Sequence, residues 1–580
     1  FKKINKEVAY SDRSTYQEIM SAPEIVKTIE EYDDGLYRSE KTFQRCVNDN
    51  LAYGLKGISH SSSVMNAKAI NFADALGYFT QSYETQYKGN NVVADSLLGI
   101  KYVVDDPNRN SGNRSLLEPY YEKVLESSYI NNSGVRTPVD IYENKDALAI
   151  AYGASDDILK LGHLGNDNQF NSMNIFLSTL TGNTDFQTTE DGAIIINGFK
   201  EYYKKLEPEA YEGDSVFDPN QVRHSIYTPT DANGNVIESK AHHAYDALPN
   251  AIDPVVNMHI TTQYDGPVYM HIDSDFYKGV NIWVSKDKDE NGNYYNHQEY
   301  GNYLKDHIRP IVRLGSYPAG TELEVRFTIT KTEGSSVYVG SNEHFMFKVN
   351  NGLQLYNLDY DAFHQDIEQL KKNQFEVDMD KSNDRYLEGT VNIDEGQLLF
   401  TTIPYEKGWT LTVDGKKADD LITEIKNEET GTISYKNDFD AETGKVIMLE
   451  STIGLKLPAG EHTITMKYTP PGFTLGMFTL VLGIGIMIIF YRYDKKNNQV
   501  LIAIQKEKER KKQGLPPEDT NESSEKKNVQ IIKSKGAVSE QELVQKTSDE
   551  ENETETVTED SENNTPETPD SESSSDNKNK

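Results

Sequence analysis

One apolar run stands apart from the rest of the chain. Residues 473–491 read FTLGMFTLVLGIGIMIIFY, without a charge. At about 1.5 Å per residue a helix of that length spans roughly 28 Å, close to the hydrocarbon thickness of a bilayer. Pro470, Pro471 and Gly472 end whatever precedes it. Arg492, Lys495 and Lys496 follow at once, with Lys506, Lys508, Arg510, Lys511 and Lys512 beyond them. The positive-inside rule therefore predicts a cytoplasmic C-terminus and an extracytoplasmic body before the span. Val500, Leu501 and Ile504 would lie on one side of a helix continued along the inner membrane surface. From about 514 the composition collapses into Glu, Ser, Asn, Thr, Asp and Lys, and a disordered acidic tail is expected.

Shorter patterns organise the body. Between 255 and 470, β-branched and aromatic runs predict strands over 268–272, 280–284, 323–329, 398–403, 410–413 and 463–468. A Pro-Ala-Gly turn feeding an alternating strand occurs at Pro318 and again at Pro458, which two copies of one sandwich-like module split within 361–384 would explain. In the first 250 residues helices are predicted at 23–32, 67–76, 92–98 and 168–180. Strands are predicted at 35–40 and 100–104, with a strand pair over 139–151 and a connection through 217–248. The fold class expected is α+β. A mixed α/β domain (1–250) precedes two β-sandwich-like modules (251–365 and 366–472), the transmembrane helix (473–491), a basic juxtamembrane segment (492–513) and the tail (514–580).

Composition narrows the function. A chain of 580 residues allows three or four domains. Its 59 Lys and Arg against 93 Asp and Glu leave a net charge of −34, which repels phosphate backbones and argues against nucleic acid as a partner. A single cysteine, Cys46, excludes an internal disulfide framework and cysteine-based zinc sites. The chain starts at Phe1 with no signal-peptide pattern, so it reads as a piece of something longer. Its 36 tyrosines and many acids suggest an outer surface suited to sugar hydroxyls.

Motifs for chemistry are sparse. Asp287, Asp289 and Asn291, followed by Gly292, match the opening of a calcium loop, but Gln298 stands where the bidentate Glu is required, so a polar hairpin loop is expected. Asp231 to Asn235 reads as a second such hairpin. His242 and His243 are adjacent and cannot share a helix face as zinc-protease ligands do; they are expected as exposed loop histidines. Ser59 and Ser61 flank His60 without a nucleophile elbow, so a loop bonding its own backbone is the better reading. Trp283 and Trp409 suit sugar stacking, yet both lie on predicted strands where core packing competes. Leu457-Pro458-Ala459-Gly460 lacks the threonine of a sortase signal and reads as a turn. No catalytic residue, metal ligand or cofactor is assigned.

The order of motifs nevertheless resembles a family. Gly35-Leu36-Tyr37-Arg38, Ile58-Ser59-His60-Ser61-Ser62 and the stretch from Asp95 to Val103 (DSLLGIKYV) come first. The stretch from Gly408 to Lys416 (GWTLTVDGK), then Leu457 to Ile464 (LPAGEHTI), follow, and Tyr468-Thr469-Pro470 runs into the final apolar helix. This resembles the C-terminal part of bacterial YfhO-type membrane proteins over roughly 30–493; the acidic tail is not part of the pattern. The resemblance implies a polytopic, GT-C-like glycosyltransferase that takes sugar from an undecaprenyl-phosphate carrier to a wall polymer such as lipoteichoic acid. It also implies the lipid bilayer, a lipid-linked donor, a wall-polymer acceptor, a polyprenyl-phosphate glycosyltransferase and a small flippase as partners. The catalytic acidic loop of such enzymes would precede Phe1, leaving this portion to handle acceptor or brace the membrane core. The alternative is a non-enzymatic, membrane-anchored surface protein that binds glycan or protein through its sandwiches.

Overall fold

The computed structural model describes residues 13–516 except 110–116, 118, 166–167, 191–192, 208–215, 277, 305–309, 332–342, 429 and 439. The acidic tail from 517 onward lies outside the described residues. The folded body is one unit through Phe473.

Its N-terminal layer is a four-stranded sheet. Arg38–Lys41 runs parallel to Ile100–Asp105, which pairs antiparallel with Arg136–Asn144, and that strand with Tyr121–Ile130. The helix Pro23–Tyr32 starts on proline and buries Ile25 and Ile29, one helical turn apart, against Tyr102, Val104 and Ile141. Three more helices, Ala67–Ala75, Val92–Leu97 and Gln169–Leu180, share a second core with Tyr152, Phe363 and Phe400. Each opens on an asparagine (Asn66, Asn91, Asn168) whose side-chain oxygen accepts a backbone N–H of the first turn. That cap explains why each apolar pattern becomes a helix at its expected start.

Two sandwich-like modules follow. In the first, Val255–Thr261, Glu322–Ile329, Val280–Ser285 and Gln298–Tyr303 form one sheet. Tyr203–Leu206, Leu353–Leu358, Gly266–Ile272 and Val312–Tyr317 form the other. Val256, Met258 and Ile260 from one sheet meet Val268, Met270 and Ile272 from the other in one core. In the second module Tyr386–Ile393, Gly460–Tyr468 and Trp409–Val413 face a sheet of Gly444–Met448, Thr452–Lys456, Gln397–Pro404 and Ala151–Ser155. The first 250 residues thus supply a strand to each module, Tyr203–Leu206 to the first and Ala151–Ser155 to the second. Both Pro-Ala-Gly turns do the same work: each carries the chain from one sheet of its module to the other, Val312–Tyr317 to Glu322–Ile329 and Thr452–Lys456 to Gly460–Tyr468. Between the modules lies the helix Tyr360–Leu370, capped by Asp359.

The segment expected as a connection, 217–248, instead forms the antiparallel strands Val222–Tyr227 and His242–Ala247, which His344–Lys348 extends to a three-stranded sheet. The long strand Tyr121–Ile130 also escaped the pattern, because its polar residues dilute the alternation. The tyrosines correct another expectation. Tyr102, Tyr121, Tyr129, Tyr152, Tyr202 and Tyr203 are each less than 2% exposed, so much of the aromatic excess fills the interior rather than an outer surface.

The second unit holds one continuous helix, Phe473–Lys512, with mean hydropathy 2.4 in its most apolar window. At 40 residues it is about 60 Å long, so the apolar run and the basic segment form a single rod.

Candidate functional site

The motifs that the sequence singles out bind one another. Arg38 donates from Nη1 to the Leu98 carbonyl at 2.5 Å and to Thr402 Oγ1 at 2.6 Å, tying the N-terminal sheet to the second sandwich. Burial pushes its guanidinium down to about 10. Glu40, fully buried, accepts from the backbone N–H of Ile58 and Ser59 at 2.5 and 2.7 Å and from Ser59 Oγ at 3.1 Å. Asp95, also fully buried, accepts hydroxyl protons from Tyr78 at 2.7 Å, Tyr87 at 2.8 Å and Tyr121. Burial raises Asp95 to about 7, against the pull of its three tyrosines. Asp414 accepts from Thr463 N and His462 Nδ1, both at 2.9 Å, locking the Gly408–Lys416 stretch to the Leu457–Ile464 stretch. These motifs are therefore an interlock that holds layers together.

A strongly polar cavity adjoins that interlock. It measures about 180 Å³ and is lined by Asp74, Gly77, Tyr78 and Gln169 of the α/β layer, by His271, Asp273 and Asp275 at the end of a strand of the first sandwich, and by Lys348 at the end of the three-stranded sheet. Tyr78 joins the two levels, since the residue lines the cavity and its hydroxyl reaches Asp95. Lys348 Nζ donates to Asp273 at 2.7 Å and lies 3.9 Å from Asp275. Thr80 Oγ1 donates to Asp74 at 2.7 Å. Gln169, 6% exposed, has no hydrogen-bond partner for its Oε1. Residues spread from 74 to 348 carry no common spacing, so sequence reasoning missed the cavity; the only local signal is the Asp273-x-Asp275 pair at a strand end.

Gly77 sets the rim. Its φ is +80°, and a Cβ there would stand 2.3 Å from Ile311 Cδ1, while its carbonyl accepts from Ile311 N at 3.0 Å. Gly77→Ala is expected to lower stability by about 1–2 kcal/mol, from left-handed strain plus displacement of Ile311. Chemical denaturation checks this, and an unchanged midpoint would contradict it.

The other sequence candidates fall elsewhere. His242 is not an exposed loop residue: it is buried in a strand, because its Nδ1 donates to the Lys240 carbonyl (2.8 Å) and its Nε2 accepts from Asp275 N (3.2 Å). It thereby fixes the backbone of the cavity's acidic loop. His243 Nδ1 lies 3.1 Å from His224 Nε2 on the neighbouring strand. Ser59 is buried between Glu40 and the Tyr87 N–H, with no histidine bonded to it among the described residues. Asp289 accepts from Asn291 N, Asn293 N and Asn293 Nδ2 at 2.8–3.1 Å, and Asp287 from Asn296 Nδ2 at 2.9 Å, closing a hairpin on itself. Trp409 packs on Tyr468 at the edge of the second sandwich core, whereas Trp283 is half-buried opposite Arg326 and Glu299 on the outer face of its sheet. Asp146, His364 and Glu368 bring ligand atoms within 4.8 Å of one another. Lys371 already sits 2.7 Å from Glu368 and 3.9 Å from Asp146, supplying a positive charge there.

The folded body is followed by one helix long and apolar enough to cross a membrane, among the described residues. The sequence matches the model of the family described as bacterial membrane protein YfhO over residues 1–479, and the chain belongs to that family. No curated protein matches it. Among solved structures, arabinofuranosyltransferase AftD from Mycobacteria is similar at 11% identity and a TM-score of 0.18, covering 58% of this chain and 32% of that one. A Paenibacillus xanthan lyase is similar at 12% identity and a TM-score of 0.15, covering 60% of this chain and 31% of that one. The chain thus spans about a third of the length of either, and TM-scores this low carry no argument about fold or activity.

Proposed function

We propose that this chain is the extracytoplasmic portion of a GT-C-type membrane glycosyltransferase. In this reading the enzyme moves sugar from an undecaprenyl-phosphate carrier to a wall polymer such as lipoteichoic acid, and the body described above handles acceptor. The observation that carries it is the family match, which runs through the folded body and into the apolar helix. Basic residues following residue 491 support an outward-facing body. The buried interlock of motifs supports a positioning role, since its polar groups are spent on one another and none of these motif residues is assigned a chemical step.

Two measurements test this. Protease added to intact cells is expected to digest the body and spare residues after the helix; digestion confined to those C-terminal residues would reverse the orientation. Deleting the full gene is expected to lower the sugar content of the wall polymer, and an unchanged content would overturn the transferase reading.

A further inference from the structure

We infer that the outer face of the first sandwich, centred on Trp283, is a docking surface for an uncharged glycan chain. This deepens the acceptor-handling role proposed above and rests on that reading only for the source of the glycan. The strand register builds the surface. Asn257 lies opposite Arg326, Arg326 opposite Trp283, and Trp283 opposite Glu299, so one row crosses all four strands of the sheet. At about 4.8 Å between strands the row runs about 14 Å, which suits a chain of sugars lying across it better than a single ring. A register shift opposite Trp283 turns Tyr300 into the core and leaves Glu299 on the outside.

The alternation that puts Val280, Ile282 and Val284 in the core puts Trp283 on the opposite face, half-buried. No other ring or cation covers its indole among the described residues. The groups beside it are hydrogen-bonding groups of both kinds. Arg326, 30% exposed, donates from Nε to Asn257 at 3.2 Å and from Nη2 to Glu324 at 3.1 Å, which fixes the guanidinium and leaves its other N–H donors unspent. Glu299 offers a carboxylate that has no partner among the described residues. Tyr294, stacked on His259 with ring centroids 5.4 Å apart, adds a second ring on the same side of the sheet.

Other occupants fit this face worse. Glu299, Glu322 and Glu324 outnumber Arg326 and Lys288, so a polyanion is not attracted. A protein partner needs an apolar centre, yet the outward neighbours of Trp283 are Asn257, Asn281, Glu299, Arg326 and Thr328. A sugar presents an apolar C–H face to the indole, and hydroxyls that donate to Glu299 and accept from Arg326.

The test uses the full chain in a detergent without a sugar headgroup. It is titrated calorimetrically with maltohexaose, laminarihexaose and the hexamer of N-acetylglucosamine, and with inorganic polyphosphate as the anionic control. At least one hexamer is expected to bind saturably. Trp283→Ala is expected to weaken that binding about tenfold or more, and Trp283→Phe by less, since a ring remains. Glu299→Ala breaks no contact among the described residues. It is expected to weaken binding about three- to tenfold with the melting temperature unchanged, and it carries the test where Trp283→Ala does not fold. No saturation by any hexamer would overturn the inference, as would wild-type affinity in these variants or binding of polyphosphate alone. The two readings separate. Wall sugar lost on gene deletion, with no hexamer bound, removes the docking surface alone. Hexamer binding that the variants weaken, with wall sugar unchanged on deletion, removes the transferase proposal and leaves the surface standing.

Discussion

Asp95→Ala is expected to destabilise the folded body by about 3–5 kcal/mol, measured by chemical denaturation. The substitution leaves the hydroxyls of Tyr78, Tyr87 and Tyr121 inside the core without their acceptor. Each unsatisfied buried donor costs about 1–3 kcal/mol, while removing a desolvated carboxylate returns part of the total. Asp95→Asn keeps one acceptor oxygen and should cost less than the alanine variant. A loss below about 1 kcal/mol for alanine would mean that the tyrosines find other partners and that the interlock is not held at this point.

The same residue gives the body a pH signature. Its carboxyl is raised by burial from the ordinary value of 3.8 to about 7. Between those values the folded chain keeps a proton that the unfolded chain has released. Stability from this group is therefore fully present below about pH 4, falls as pH rises, and levels off above about 7. Three pH units correspond to on the order of 4 kcal/mol. Relative to Asp95→Asn, the wild type should lose stability across that window, and parallel curves for the two proteins would contradict the assignment.

How much of this was legible in sequence depended on where each signal lived. The helices at 23–32, 67–75, 92–97 and 169–180 were legible because apolar spacing and an N-terminal proline or asparagine cap act locally. Six sandwich strands (266–272, 280–285, 322–329, 397–404, 409–413 and 460–468) were legible through β-branched and aromatic runs, and the Pro-Ala-Gly turns through their repetition. The strands Val222–Tyr227 and His242–Ala247 were not, since each mixes polar and apolar side chains along its length. Family motifs were visible but not their role: only the fold shows that Arg38 reaches Thr402, 364 positions away. The cavity was illegible for the same reason, as Asp74, Gln169 and Lys348 meet through tertiary packing that no spacing encodes.

Lys41→Met is expected to raise stability by about 1–4 kcal/mol. Lys41 is 1% exposed, and its Nζ has no hydrogen-bond partner. Its nearest carboxylate oxygen, on Asp49, is 3.8 Å away. The rings of Tyr53 and Phe43, at 5.5 and 5.9 Å, offer cation–π attraction of about 2 kcal/mol each, against several kcal/mol for burying an ammonium. Asp49 does not need the lysine, because it accepts from Arg45 N at 2.7 Å and Cys46 N at 3.1 Å and pairs with Arg45 Nη2 at 3.1 Å. Methionine matches the unbranched stem and fills the same space without a charge. The pH dependence gives an independent reading. Burial lowers the Lys41 ammonium below its ordinary value of 10.5, so between the two values the unfolded chain binds more protons and stability rises with pH. That rise should vanish in Lys41→Met. A variant less stable than wild type by more than about 1 kcal/mol would show instead that the buried charge holds the Asp49 loop in place.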